Sequence, residues 1–98
     1  MIIHPPNLSD VVLATRYLLA QPDSAQPERC RELIERVQEA ARYQEITGRA
    51  HARLGDGSIG SYVLRLPLAP MPAQLNEAAF KALSLVLEQF YDTSFISK

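Results

Sequence analysis

The chain has 98 residues and a mass of 10.9 kDa, too short for a two-domain enzyme or a full dinucleotide-binding fold and long enough for one core. Hydrophobic residues make up 47%, charged residues 21%, and the formal net charge is -1, which excludes a disordered chain and supplies no strong field that would name a partner. Cys30 is the single cysteine, so one copy can build no disulfide, thiolate zinc site or iron–sulfur cluster, and a reducing, cytoplasmic setting is expected.

Met1 to Pro6 shows neither a basic leader nor a long apolar core, and no later stretch approaches the roughly 18 apolar residues of a membrane span. A soluble protein with no membrane association is expected. Asn7-Leu8-Ser9-Asp10 then opens the first helix, with Asn7 or Ser9 as cap and Asp10 at the positive end of the helix dipole. Leu8, Val11, Val12, Thr15, Leu18 and Leu19 recur at three- and four-residue intervals and predict a stripe that must be covered. Gln21-Pro22-Asp23-Ser24 ends it.

A longer second helix is predicted from Ser24 or Gln26 to Thr47, with Pro27 tolerated in its first turn and Gly48 as its stop. Cys30, Leu33, Ile34, Val37, Ala40 and Ala41 form its apolar positions, so Cys30 reads as a small buried hydrophobe rather than a nucleophile. Glu32 with Arg36 and Glu45 with Arg49 stand at the spacing of helical ion pairs on the solvated face.

From Gly48 the helical pattern breaks into a glycine-rich loop. Ser58 is placed to cap a short helix through Ile59, Tyr62, Val63 and Leu66, with a hairpin across Asp56-Gly57 as the alternative. Pro67, Pro70 and Pro72 predict an extended linker up to Ala73, and the match of Pro67-Leu68-Ala69-Pro70 to P-x-x-P reads as part of it. The last helix is predicted from Leu75 or Asn76 to Tyr91, with Leu75, Ala79, Leu83, Val86, Leu87 and Phe90 on one face and Glu77, Lys81, Ser84 and Glu88 opposite. Phe95 and Ile96 are apolar for a chain end, which suggests packing on a neighbour or on a second subunit.

Three main helices and a short fourth make an all-α bundle the expected fold, in a single domain spanning residues 1–98. A core of this size supplies only about 3 to 5 kcal/mol, so a homodimer would be a source of extra stability.

Chemistry-bearing side chains concentrate in one place: Arg49, His51, Arg53, Asp56, Gly57 and Ser58. The plain reading makes them turn formers, caps and bridges to helix ends. In the chemical reading, the Gly55 to Ser58 N–H groups form an anion-binding nest with Arg49 and Arg53 beside it, suited to phosphate, a nucleotide phosphate or a carboxylate. The spacing matches neither a Walker loop nor a dinucleotide fingerprint. Catalysis through His51 and Asp56 lacks an evident nucleophile unless Ser58 serves. His4 and His51 are the only histidines and neither has a second imidazole one turn away, so no metal site and no cofactor are expected. Eight of the ten basic residues are arginine, but most face acids one turn away, and the small surplus at Arg42, Arg49, Arg53 and Arg65 speaks against nucleic-acid binding.

The string Thr47-Gly48-Arg49-Ala50-His51-Ala52-Arg53-Leu54-Gly55-Asp56-Gly57-Ser58 resembles the G-R-x-H-x-x-x-G-D-G-S signature of a family of short uncharacterised alphaproteobacterial proteins. The similarity extends to the helix at Asp10 to Leu19, the long Glu/Ala/Arg-rich helix and the helix at Asn76 to Phe90, with Ala52 standing where proline is common in the family. The resemblance implies an all-helical fold with this loop as its signature, and brings no activity, substrate or cofactor. The expected function is therefore non-enzymatic: a protein-interaction or self-associating module, with anion binding at the loop as the alternative and nucleic-acid binding or a His–Asp hydrolase behind it.

Overall fold

The computed structural model describes residues 6–93. Helix α1 (Leu8–Leu19) begins where the sequence places a cap: Asn7 Oδ1 accepts from the Asp10 N–H at 2.8 Å and Asp10 Oδ2 accepts from the Asn7 N–H at 3.1 Å. Two N–H groups that the helix leaves unpaired are satisfied reciprocally. A single 3-10 turn, Asp23–Ala25, leads into α2 (Gln26–Thr47), whose first turn holds Pro27, where a missing N–H costs nothing. Gly48, at φ +75°, ends α2 and donates to Gln44 O at 2.7 Å.

Helix α3 (Ile59–Val63) is capped by Ser58, and α4 (Glu77–Tyr91) by Asn76, whose Oδ1 accepts from the Ala79 N–H at 2.8 Å. Among the described residues there is no strand, only an isolated bridge between His51 and Gly55, and the architecture is a small all-α bundle. No helix among them is long and apolar enough to cross a membrane.

Helix α1 packs against α4, α3 and α2, and α2 closes on α4. Val11, Ala14 and Leu18 of α1 meet Cys30, Leu33, Ile34 and Val37 of α2, Ile59 and Val63 of α3, and Ala82, Val86 and Phe90 of α4 in one core. Thr15 is fully buried, and its hydroxyl is satisfied by donating to Val11 O at 2.8 Å. The proline linker runs over this core and is tied to α1 in both directions: Ala69 N donates to Arg16 O at 3.1 Å and Arg16 Nε donates to Ala69 O at 2.9 Å.

Several sequence expectations are corrected. The segment after Ser58 is helix rather than hairpin, but it stops at Val63, with Leu64 to Leu66 in turns. Leu8, 80% exposed, lies in the first turn of α1, ahead of the core, and Val12, Leu19 and Leu83 are only half-buried. On α4 the buried arc is Ala79, Ala82, Val86 and Phe90, while Leu75 and Leu87 face solvent. Small residues at the contact let α1 approach closely, and Leu87 is rotated by about 100° from Val86, off that contact.

The expected ion pairs on α2 also differ. Glu32 is taken by Arg29 at 3.1 Å, leaving Arg36 to Glu39 at 3.5 Å, and Gly48 turns Arg49 away from the helix and so from Glu45. On α4 Lys81 reaches Glu77 at 3.7 Å. His4, Phe95 and Ile96 lie outside the described residues. This division of the leucines predicts that Leu18→Ala lowers the urea unfolding free energy by about 2–5 kcal/mol, whereas Leu8→Ala changes it by less than about 0.5 kcal/mol.

Candidate functional site

The loop after α2 is built by its own side chains. Thr47 Oγ1 donates to Tyr43 O at 2.8 Å and accepts from the Arg49 N–H at 3.2 Å, so the chain turns sharply off the helix. The next five residues close on themselves: His51 N donates to Gly55 O at 2.8 Å and Gly55 N to His51 O at 2.9 Å. Inside that closure His51 Nδ1 accepts from the N–H groups of Arg53, at 3.0 Å, and Leu54, at 3.1 Å. The imidazole stands edge-on to Tyr43, with ring centroids 4.8 Å apart and planes at 73°.

A second knot follows at the start of α3. Asp56 Oδ1 accepts from the Ser58 N–H at 2.9 Å, Ser58 Oγ accepts from the Ser61 N–H at 3.2 Å, and Ser61 Oγ donates to Ser58 O at 2.9 Å while accepting from the Asp56 N–H at 3.2 Å. Arg65, at the end of this segment, donates from Nη1 to Ala52 O at 2.6 Å and ties the two knots together.

All six candidate residues, Arg49, His51, Arg53, Asp56, Gly57 and Ser58, thus lie in one loop, but they do not converge on a common point. Three of the N–H groups assigned to an anion nest are already spent inside the protein: Gly55 N on His51 O, Asp56 N on Ser61 Oγ and Ser58 N on Asp56 Oδ1. Because Nδ1 of His51 accepts two N–H bonds, it carries no proton to give a carboxylate, which is how a triad histidine is oriented. Ser58 Oγ is engaged as a cap. What the loop turns outward is charge: Arg49 and Arg53 are exposed, and neither guanidinium makes a hydrogen bond or ion pair among the described residues.

Ser61 is the residue that sequence reasoning missed. A serine three positions after the cap Ser58 is the signal, since that position in a capped helix often reaches back to the cap. Arg65, counted above only in the basic surplus, and Tyr43 also brace the loop.

Among the described residues no three His, Cys, Asp or Glu side chains are grouped to hold a metal. Cys30 is fully buried, and burial pushes its thiol up to about 12; burial, then the neighbouring Tyr62, raises Tyr17.

The bonding makes His51 and Gly55 stability residues. His51→Ala should cost about 1–3 kcal/mol in thermal denaturation, and His51→Asn should recover part of it, because a short amide oxygen also accepts a backbone N–H two residues on. Gly55→Ala should cost about 2–4 kcal/mol: its φ is +88° and an added methyl would stand 2.8 Å from Ser61 Cβ.

For Cys30 the folded thiol titrates above the unfolded one. Its contribution to stability is whole below pH 9 and is lost as pH rises toward 12, so iodoacetamide at pH 8.5 should label the protein only after unfolding.

No curated protein and no solved structure matches the chain. Residues 4–90 match the model of a family described as a domain of unknown function (DUF7742), and the chain belongs to that family.

Proposed function

We propose that this protein is a non-enzymatic helical interaction module that associates with itself, using the outward face of α4 as its contact surface and the Arg49 to Ser58 loop as a recognition edge. The observation that carries this reading is the row of large apolar side chains along α4. Phe80 and Leu87, 55% and 51% exposed, stand seven residues apart on one line of the helix, with Tyr91 exposed one turn further on. A side chain of that size left half in water on a folded helix gains by being covered, and a small core gains stability from the same event.

Anion binding at the loop is the second reading, favoured by the guanidiniums of Arg49 and Arg53, which make no hydrogen bond or ion pair among the described residues. It ranks lower because the loop's backbone donors are largely spent. Nucleic-acid binding and a His51–Asp56 hydrolase rank below it, the first on the small basic surplus and the second on the bonding of His51 Nδ1.

Light scattering across concentrations, combined with thermal shift against phosphate, nucleotides, carboxylates and short DNA, separates the readings. Self-association predicts a mass above 10.9 kDa that falls to the monomer value in Leu87→Glu, with no anion shift. A monomer stabilised by several degrees by phosphate or a nucleotide, with the shift abolished by Arg49→Ala plus Arg53→Ala, would replace it with the anion reading.

A further inference from the structure

The second apolar surface of the molecule lies at the far end of α2. Past Ala41 no residue of that helix is buried, so its last turn and a half, roughly 9 Å, runs beyond the core. Ile46 there is 78% exposed, on the side of α2 opposite the core stripe, and Tyr43 is exposed although His51 braces it. Around them stand Arg42, Arg49 and Arg53, whose guanidiniums carry no hydrogen bond or ion pair among the described residues. Residues 42–65 hold four arginines against Glu45 and Asp56, a net charge of +2.

The face of α4 has the opposite sign. Residues 77–92 hold Glu77, Glu88 and Asp92 against Lys81, a net charge of -2, and Lys81 is occupied with Glu77. Glu88 and Asp92 follow Leu87 and Tyr91 directly along the chain, so carboxylates that form no ion pair among the described residues border the apolar row.

Each surface therefore carries the charge that the other lacks. Meeting its own copy, the α4 face would bring together two surfaces of net charge -2, and the α2 end two surfaces of net charge +2; both arrangements carry a like-charge penalty that crosswise pairing avoids. Crosswise pairing matches the charges and covers apolar side chains on both sides.

We infer that the α4 face of one copy is covered by the basic end of α2 and its loop from a second copy, and that the exchange is reciprocal, giving a two-fold dimer with two identical junctions. This rests on the self-association reading above. A two-fold pair in which one surface contacts the other, and the reverse, closes without free ends. Two junctions also matter for area: a stable interface covers about 800 Å² on each partner, more than a few half-exposed side chains at one junction provide. Arginine and tyrosine on one side and phenylalanine on the other are residue types enriched at buried interface centres.

Sedimentation velocity on wild type, Leu87→Glu, Ile46→Glu and an equimolar mixture of the two variants tests this. Wild type should reach twice the 10.9 kDa chain mass, with a dissociation constant that weakens at least several-fold between 50 and 500 mM salt. Each variant alone should be monomeric at concentrations where wild type is dimeric. The mixture should associate measurably more tightly than either variant alone and more weakly than wild type, because one junction then joins an unaltered α4 face to an unaltered α2 end while the other is lost.

Circular dichroism checks that both variants fold, with Leu87→Ser and Ile46→Ser as milder replacements if either does not. An Ile46→Glu protein that remains dimeric while Leu87→Glu is monomeric, or a mixture that associates no more tightly than either variant alone at the highest concentration reached, overturns the crosswise junction and leaves self-association standing. Open-ended larger species overturn the reciprocal closure, and a wild-type mass of 10.9 kDa at every concentration overturns both readings.

Discussion

The carbonyls at the end of α1 hold the bundle in register. A helix walled by three others cannot turn its last C=O groups freely to water, so they need partners from elsewhere in the chain. Leu18 O receives the Gln21 N–H at 2.9 Å and, in a buried position, Gln26 Nε2 at 3.0 Å; Arg16 O receives the Ala69 N–H across 53 residues of sequence. These bonds fix the turn into α2 and the path of the linker into α4. The linker suits that role because Pro67, Pro70 and Pro72 bring no N–H of their own, and Ala69 between them supplies one where α1 has an acceptor to fill.

The unpartnered surfaces follow from this arrangement. Helix α4 is held on one arc by α1 and α2, through Ala79, Ala82, Val86 and Phe90, while the arc of Phe80 and Leu87 meets no other helix among the described residues. Helix α2, about 33 Å long at 22 residues, outruns the core that its first four turns line. Both features are consequences of packing unequal helices around a short central one, and together they give the molecule two apolar areas of opposite charge.

The helices and their ends were legible because caps act locally. Asn7, Ser58, Asn76 and Gly48 each satisfy or terminate a helix within four residues, and each occurs where the sequence places it. Which leucines are buried was not legible, because both arcs of α4 carry apolar residues at helical spacing and only the position of α1 and α2 chooses between them. In the loop, composition identified the right segment but not the direction of its hydrogen bonds. Arg, His, Asp and Ser beside glycines suit an anion cradle and a self-bonded turn equally well, and the deciding partner, Ser61, lies in the next helix.

A loop whose donors are spent on itself is a poor cradle and a good platform. The two-way closure of His51 on Gly55, the imidazole accepting from Arg53 and Leu54, and Arg65 on Ala52 hold the backbone at 51–55 in one shape. That shape sets where the Arg53 side chain leaves the surface, and Thr47 does the same for Arg49. Ordering a mobile loop on association would cost free energy at each residue fixed, and a loop already fixed avoids most of it. The internal bonds that leave this site few free backbone donors hold in place a backbone from which Arg49 and Arg53 project, their guanidiniums without a hydrogen bond or ion pair among the described residues.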